Sequence, residues 1–431
     1  MKHAMKNTLK PGSIALGLAL MLTTLCYGQA FQASPPHNVI YWNGDTSNNQ
    51  LQTLESSDYT DVIVNFVTPD GNCNLSGSPT DIGTIQALHS YGKTVLVSFG
   101  GQGIQYAACA NIVPQLATNL ATSVMTYGFD GVDIDFEDSN AFLGQPGYYD
   151  GVMFLTNLTN DLYNDLPQYQ NIITHAPQTP YWTSDYNYAY SNIFFDTGDN
   201  IAWFNNQTYN NCPPTDCTAQ EKIADYQNIA SIVSPLKVLV GVPVSPGAAG
   251  NGYLPISDPS GNGNDMTSVI LQLQNDFLGQ FGGVMGWNYL HDISDDGGNW
   301  SSDLLLPLAA RPVWVGYDTQ TGRCLDSSIN GNNGTVYTDT CNGYKSLSQE
   351  WYFDVNTIRN IATNQCLDSN SSGNLYTMPC NGGNYQNWWD GLNVSSTAMT
   401  MVSSTRTPAT QAITRTDALN RSPRLSISSP K

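Results

Sequence analysis

The chain is poor in charged residues, and positive charge is the scarcest. Charged side chains make up 12% of the 431 residues, and 15 Lys and Arg stand against 35 Asp and Glu, for a formal net charge of -20. So low a content of charge argues against a coiled coil and against a disordered acidic chain. The excess of negative charge repels phosphates, so we do not expect nucleic acid as a partner. Neutral, hydroxyl-rich ligands are compatible with this charge.

Long hydrophobic runs are also missing, apart from residues 14–25 near the N-terminus. This run follows basic residues and is too short to span a bilayer. The small residues Gly28 and Ala30 precede a cleavage site before Phe31. Residues 1–30 are therefore predicted to be a secretory signal peptide.

The nine cysteines fit that prediction. Cys26 lies within the leader, and a lipid anchor there is the alternative, which Leu25 immediately before it disfavours. The remaining eight form an even number, typical of disulfides in an oxidising compartment. We expect a secreted, extracellular protein that does not associate with a membrane.

Residues 31–310 alternate short β-branched runs with longer stretches of helical period. The eight candidate strands are 39–42, 61–67, 94–99, 131–136, 171–176, 201–209, 238–242 and 283–288. Helix candidates lie between them, such as 81–91, 111–127, 219–233 and 265–281. This alternation predicts an α/β fold, a (β/α)8 TIM barrel rather than an open doubly wound sheet. No G-x-G-x-x-G follows the first strand, which argues against dinucleotide binding.

The composition changes after Pro312. Residues 313–390 are rich in Gly, Asn, Ser and Cys, and Cys-Leu-Asp-Ser, Cys-Asn-Gly and Gln-x-Trp segments each occur twice, with a period near 40 residues. Such a repeat predicts a small all-β unit present in two copies. Within each copy we expect one disulfide, Cys324–Cys341 and Cys366–Cys380. Residues 391–431 contain no Cys or Trp and are expected to be a flexible tail or a degenerate third copy.

The string Asp-Gly-Val-Asp-Ile-Asp-Phe-Glu at 130–137 carries the most chemical information. Side chains alternate along a strand, so Asp133, Asp135 and Glu137 share one face and the apolar residues share the other. In a barrel the acidic face then points into the lumen, with Glu137 at the carboxyl end, where such barrels hold their active sites. Asp130 has the opposite parity and is expected to be structural. A calcium loop is the alternative, but such loops are Gly/Asn-rich turns.

Three carboxylates so close together cannot all ionise cheaply. Two unit charges about 4 Å apart repel by about 4 kcal/mol at an effective dielectric constant near ~20. We expect the group to share protons and the pKa of at least one carboxyl to be raised. A carboxylic acid that is still protonated near neutral pH can protonate a glycosidic oxygen.

The pattern Asp130-x-x-Asp133-x-Asp135-x-Glu137 resembles the signature of family-18 glycoside hydrolases, the chitinases and their relatives. Other motifs, in the right order between residues 39 and 293, resemble the plant class III, hevamine-like branch of that family. They are Tyr41-Trp42, Ser98-Phe99-Gly100-Gly101, Ala176-Pro177-Gln178, Gln207-Thr208-Tyr209-Asn210 and Trp287.

This resemblance implies that the anomeric configuration is retained through assistance by the substrate. Glu137 would act as acid and then as base, while the carbonyl oxygen of the substrate's 2-acetamido group attacks C1. Asp135 would hold the acetamido N–H and share a proton with Asp133, and Tyr209 would donate its hydroxyl to the acetamido oxygen. Trp287 would form the floor of the subsite. The other substrate-binding residues that the resemblance implies are Gln207, Asn210, Gln178, Gly100, Gly101 and Tyr41. An ordinary place in the barrel core is the alternative for Tyr209 and Trp287.

Some barrels of this family carry an inserted domain between strands 7 and 8, which deepens the cleft. Here only about 42 residues separate Gly241 from Gly283, enough for one helix and its loops. We therefore expect an open groove and an endo-acting enzyme.

Four cysteines remain in the barrel region. Cys212 and Cys217 can close the loop after the sixth strand, and Cys73 and Cys109 can join two neighbouring loops, but the sequence leaves this pairing open. The five histidines are scattered, so we expect no metal and no cofactor. His175 is expected to be a hydrogen-bonded core residue.

The repeated region resembles ricin-type β-trefoil lectin modules, which begin with Cys-Leu-Asp and end with Gln-x-Trp. The resemblance places Gln349, Trp351, Gln386 and Trp388 in the core of the two lobes, with Asp326 and Asp368 as acceptors for sugar hydroxyls, next to Gln349 and Gln386. Two features depart from the family. Asp339 and Met378 stand where many lobes have an aromatic residue, with Tyr337 and Tyr376 nearby, and a third lobe is not recognisable. The alternative is a scaffold that no longer binds sugar.

Three functions compete. The leading hypothesis is a secreted, monomeric chitinase that cleaves β-1,4-linked N-acetylglucosamine polymers, with the lectin-like repeats holding it on the polymer. An endo-β-N-acetylglucosaminidase acting on N-glycans uses the same chemistry. A carbohydrate-binding protein on an inactive barrel is disfavoured, because Glu137 and both aspartates are present.

Overall fold

The computed structural model describes residues 35–77, 81–212, 217–277, 279–318, 321–328, 334–342, 347–354, 357–386, 388 and 401–406. The predicted signal peptide and most of the segment 391–431 lie outside these residues. Among the helices within them, none combines the length and the apolar character that a bilayer span requires.

Eight parallel strands of the described chain close into a barrel. They are β1 (His37–Trp42), β2 (Asp61–Pro69), β4 (Thr94–Gly100), β5 (Gly131–Asp135), β6 (Ile172–His175), β7 (Trp203–Gln207), β8 (Val238–Pro243) and β9 (Gly283–Trp287), with a short β3 (Leu75–Ser76) antiparallel to β2. The barrel closes because β1 pairs with both β2 and β9. All eight predicted strands are therefore present, and the predicted TIM barrel is confirmed.

The helices surround this barrel. They are α1 (Gln50–Glu55), α2 (Ile82–Ser90), α3 (Val113–Tyr127), α4 (Gly151–Asp165), α5 (Ala189–Thr197), α6 (Ala219–Ala230), α7 (Met266–Asp276), α8 (Tyr289–Asp296), α9 (Trp300–Asp303) and α10 (Leu305–Ala309). Side chains at helical spacing pack them onto the strands: Leu116, Leu120 and Val124 of α3 are fully buried in the same cluster as Val132 and Ile134 of β5. Burying one such side chain stabilises the fold by about 1.5–3 kcal/mol.

The opposite parity of the strands faces the lumen, where Val39, Tyr41, Ile63 and Leu96 form a second apolar cluster. Because Val132 and Ile134 face the helices, the acidic residues of β5 face the lumen, as the alternation predicts.

The start of β5 is held by backbone geometry and by Asp130. Gly128 ends α3 in the left-handed conformation, with φ of 83°, which a residue without Cβ adopts at little cost. Asp130 Oδ2 then accepts the backbone N–H of Val95 at 2.8 Å and lies 2.9 Å from Nε2 of His89. Asp130 thus ties β5 to β4 and α2, in agreement with the structural role expected from its parity.

Among the described residues after the barrel, every strand pairing is antiparallel. Its strands are β10 (Arg311–Asp318), β11 (Arg323–Ser327), β12 (Gly334–Thr340), β13 (Trp351–Asp354), β14 (Thr357–Asn360), β15 (Cys366–Ser369), β16 (Leu375–Met378) and β17 (Met401–Arg406). Pairing of β10 with β11 curls the sheet back on itself. This confirms an all-β, trefoil-like region, and β17 adds a strand from the segment that the sequence presents as a tail.

Four disulfides join the eight cysteines of the predicted mature chain. Cys324–Cys341 and Cys366–Cys380 each close one repeat, as expected. In the barrel region, where the sequence left the pairing open, the pairs are Cys73–Cys109 and Cys212–Cys217.

Candidate active site

Asp133 lies at the bottom of the lumen and is completely buried. Its Oδ2 accepts hydrogen bonds from the hydroxyls of Tyr41 (2.7 Å) and Ser98 (2.8 Å), and its Oδ1 accepts from the Thr174 hydroxyl (2.7 Å) and the Asn205 amide (3.1 Å). Burial raises the pKa of Asp133, and the four donated hydrogen bonds oppose that effect. Four donors on two oxygens favour the ionised form of this carboxyl.

Asp135 is the next residue of the same parity and lies closer to the open end of the barrel. Its Oδ1 accepts a hydrogen bond from Nε2 of Gln207 at 2.9 Å, and Gln207 is itself held by the carbonyl of Ala176 at 3.0 Å. The pKa of Asp135 is well above its ordinary value, first because of burial and then because of the charges of Glu137 and Asp133. Burial and the two neighbouring charges therefore favour a proton shared within this group of carboxyls.

Glu137 follows the end of β5 and is half-buried at the mouth of the barrel. Nε2 of Gln178 lies 3.4 Å from its Oε2. Burial raises the pKa of Glu137, while hydrogen bonds from Gln207 and Gln178 lower it by less. Charge repulsion, which the sequence suggests as the source of the raised pKa values, contributes at Asp135, but burial is the largest cause for all three carboxyls.

A cleft of about 670 Å³ opens above these carboxyls. Asp135, Glu137, Gln207, Tyr209, Asn210, Gly100, Gly101 and Trp287 line it, together with Phe66, Thr68, Gln102, Ile104 and residues 248–250. The ring of Trp287 lies 6.1 Å from Phe66 and 5.5 Å from Tyr41, centroid to centroid. The structure thus brings most of the predicted site residues to one surface.

Two predicted substrate-binding residues lie outside that lining. Tyr41 is 1% exposed, and its hydroxyl points at Asp133. Gln178 contacts Glu137 instead. Both side chains are therefore placed to hold the carboxyls that face the cleft.

Tyr209 and Asn210 lie where β7 leads into its loop. Tyr209 lines the cleft together with Asp135 and Glu137. Burial, followed by the charges of Asp135, Glu137 and Asp133, raises the pKa of Tyr209 well above its ordinary value, so its hydroxyl stays protonated and can donate a hydrogen bond. The side chain of Asn210 accepts the backbone N–H of Gly250 at 2.9 Å and ties two walls of the cleft together.

The two glycines after β4 allow the backbone to approach β5. Gly100 and Gly101 have φ of 121° and 103°, a region that side chains rarely allow. The N–H of Gly101 donates to the carbonyl of Asp135 at 2.8 Å, and a Cβ on Gly100 would collide with that carbonyl and with the hydroxyl of Tyr106. The glycines thus fix the backbone of Asp135.

Several residues that contact the site are not among those predicted from the sequence. Thr174 and Asn205 donate hydrogen bonds to Asp133, but in the sequence they look like ordinary polar residues of a strand. The strand register places Thr174 beside Asp133, so a correct prediction of that register would have identified Thr174. Phe66 reads as a core residue of β2. His175 is a core residue as expected: it lies 2.9 Å from the hydroxyl of Thr159, and burial lowers its pKa to about 3. In the described part of the chain, no three His, Cys, Asp or Glu side chains are grouped to hold a metal ion.

Comparison with known proteins agrees with this geometry. Residues 37–320 match the family model of glycosyl hydrolases family 18. The chain belongs to glycosyl hydrolase family 18. Residues 316–420 match the model of the ricin-type beta-trefoil lectin domain.

This family-18 chain is similar to characterised plant and bacterial members. It is 28% identical to acidic endochitinase Pun g 14 of Punica granatum over 64% of this chain and 93% of that protein. It is 26% identical to an acidic endochitinase of Nicotiana tabacum over 63% and 94%. The crystal structure of a GH18 chitinase from Pseudoalteromonas aurantia aligns with 31% identity and a TM-score of 0.54, covering 63% of this chain and all of that one.

The lectin-like repeats place equivalent side chains in equivalent positions. Nε2 of Gln349 donates to Oδ2 of Asp326 at 2.9 Å, and Nε2 of Gln386 donates to Oδ2 of Asp368 at 2.8 Å. Trp351 and Trp388 donate their indole N–H to the carbonyls of Leu325 and Leu367, at 3.1 and 2.8 Å. In both aspartates the other oxygen, Oδ1, is buried and has no hydrogen-bond partner among the described residues.

Proposed function

We propose that the protein is a secreted chitinase that cleaves β-1,4 linkages within N-acetylglucosamine polymers, with retention of configuration and with the substrate's 2-acetamido group as nucleophile. The observation that carries the proposal is the series Asp133, Asp135 and Glu137 on one face of β5, with Tyr209 lining the same cleft as Asp135 and Glu137. The names of the similar endochitinases support the choice of chitin as substrate.

In the proposed first step Glu137 donates its proton to the glycosidic oxygen as the bond to C1 breaks. The acetamido carbonyl oxygen attacks C1 and forms an oxazolinium ion. Asp135, held by Gln207, accepts the acetamido N–H and stabilises the positive charge, and the hydroxyl of Tyr209 orients the acetamido oxygen. Glu137 then removes a proton from water, which attacks C1 and opens the ion. The hydroxyl product keeps the configuration of the substrate.

The anomeric form of the earliest products tests this mechanism. We expect N-acetylglucosamine hexamer to yield mainly internal cleavage products whose new reducing ends are β, measured by NMR before mutarotation. Initial α products would contradict substrate assistance. An early excess of dimer would contradict endo cleavage, and release of N-glycans from a glycoprotein at comparable rates would favour the endo-β-N-acetylglucosaminidase.

The two repeats are proposed to bind the same polymer. In each repeat one carboxylate oxygen of Asp326 or Asp368 is buried without a hydrogen-bond partner among the described residues, and a sugar hydroxyl that reaches it on binding would supply the missing donor. Tyr337 and Tyr376 lie directly across the sheet from these aspartates, so each can supply the aromatic face that the usual position, now Asp339 or Met378, lacks. The domain organisation that follows is a signal peptide at 1–30, a barrel at 31–310, repeats at 313–390 and a terminal segment at 391–431.

Substitution of both aspartates tests the repeats. In Asp326→Asn/Asp368→Asn, the amide oxygen still accepts from Gln349 or Gln386, but the second acceptor becomes an N–H donor. We expect binding to chitin particles to weaken roughly tenfold, with hydrolysis of a soluble tetramer within about twofold of the parent. The matched control is Asp303→Asn, at an exposed position of α9 in the barrel region. Parental binding by the double variant would show that the repeats have lost sugar recognition.

A further inference from the structure

A groove of about 500 Å³ lies outside the cleft, between the segment that follows Glu137 and the helix α5. One wall follows the carboxyl end of β5, and the other combines the end of the loop after β6 with helix α5. The first wall therefore begins on the side of the barrel that carries Glu137. Its lining combines aromatic and amide side chains, including Phe142, Gln145, Tyr148, Asn187, Asn192 and Phe195.

The aromatic side chains of this groove are exposed to an unusual degree. Phe195 is 88% exposed and Tyr148 is 44% exposed, whereas Phe and Tyr are normally buried at least in part. The ring of Tyr148 packs against Tyr149, with centroids 6.5 Å apart and planes 28° from parallel. Two exposed rings in one groove, beside amide side chains, form a surface of the kind on which sugar rings stack.

The polar groups of the groove suit a neutral, hydroxyl-rich ligand. Amides line it at Gln145, Asn187 and Asn192, and the charged side chains among its lining residues are the carboxylates of Asp150 and Asp196. Carboxylates and amide oxygens accept hydrogen bonds from sugar hydroxyls, amide N–H groups donate to acetamido oxygens, and anionic ligands are repelled.

The groove is attached directly to the catalytic strand. The hydroxyl of Tyr149 donates to Oδ2 of Asp138 at 2.8 Å, and Asp138 follows Glu137 in the chain. The next residue, Ser139, lies 2.9 Å from the hydroxyl of Tyr181, oxygen to oxygen. A polymer that lies in the groove is therefore held close to the residues that cleave it.

We propose that this groove binds a second stretch of the N-acetylglucosamine polymer, outside the cleft that cleaves it. Phe195 and Tyr148 stack on pyranose rings, and the amide of Gln145 binds hydroxyl and acetamido groups. Nδ2 of Asn187 and Nδ2 of Asn192 already donate to the carbonyls of Phe142 and Asn187, so these two amides offer their oxygens to sugar hydroxyls. The choice of ligand rests on the proposed function. Binding in the groove should speed hydrolysis of a long polymer, which reaches both the cleft and the groove. It should not affect hydrolysis of a short oligomer, which reaches the cleft alone.

The test compares a short and a long substrate. In the full-length chain, Tyr148→Ala/Phe195→Ala should lower the initial rate on chitin particles roughly five- to tenfold, with kcat/KM for a soluble tetramer within about twofold of the parent. The matched control is Tyr91→Ala, an aromatic residue that is 58% exposed at the end of α2, far along the chain from the groove. Unchanged rates on both substrates, or an equal fall on both, would overturn the proposal.

A binding measurement separates this inference from the proposed function. In the Asp326→Asn/Asp368→Asn background, the same two substitutions should lower the fraction of protein that sediments with chitin particles by about fivefold, whether or not the parent hydrolyses them. A parent that cleaves neither substrate would refute the proposed function alone. Unchanged sedimentation, or a fall in the molar mass measured by light scattering, would overturn the groove as a sugar site; the second result would assign it to contact between two copies of the chain.

Discussion

Glu137→Gln is expected to lower kcat on N-acetylglucosamine oligomers by on the order of 10³-fold or more, with the dissociation constant changed by less than about threefold. Gln has the size of Glu and keeps a hydrogen-bonding group beside Gln178, but it cannot release a proton to the glycosidic oxygen or remove one from water. The measurement is kcat from initial rates, together with oligomer binding by calorimetry.

The matched control is Glu55→Gln, at the end of α1 and outside the residues that line the cleft. It should retain parental kcat. Because burial raises the pKa of Glu137, activity of the parent should fall as the pH rises through that raised pKa, and the residual activity of Glu137→Gln should lack this limb. A variant that keeps more than about a tenth of parental kcat would remove Glu137 from the role of acid and base.

The alternation of polar and apolar residues predicts which side chains of β5 face the lumen, because the alternation along a strand is a local property of the sequence. It places Asp133, Asp135 and Glu137 on one face and the apolar residues of β5 against the helices, and both are observed. The repeat near 40 residues predicts two equivalent lobes for the same reason: each copy carries its own cysteines and its own Gln-x-Trp.

The burial of a side chain depends on residues that are distant in the sequence, so the sequence alone does not predict it. Repulsion among carboxylates can be inferred from spacing, but the larger cause of the raised pKa values is burial, which depends on the closed barrel. The same holds for Tyr41, which the resemblance presents as a substrate-binding residue and whose buried hydroxyl donates to Asp133 in the structure. The groove beside the cleft needs residues 141–152 and 187–196 to meet in space, and neither segment carries a motif.

Removal of the acetyl groups from the substrate is expected to slow hydrolysis by on the order of 10³-fold or more, because it removes the proposed nucleophile. The carboxyls of the site are poor replacements. Asp133 lies beneath the cleft and accepts four hydrogen bonds. Asp135 is 4% exposed and already accepts a hydrogen bond from Gln207, so it is poorly placed to attack C1. The measurement compares initial rates on N-acetylglucosamine and glucosamine tetramers, with inhibition by the glucosamine tetramer as proof that it binds.

The matched variant is Tyr209→Phe, which removes the hydroxyl proposed to orient the acetamido oxygen and leaves the ring in the cleft wall. It should lower the rate on the acetylated tetramer by about tenfold or more and leave the slow rate on the glucosamine tetramer unchanged, since that substrate has no acetamido oxygen to orient. Equal rates on the two tetramers in the parent would mean that a protein carboxylate attacks C1. An equal loss on both in Tyr209→Phe would mean that Tyr209 supports the wall of the cleft rather than the acetamido group.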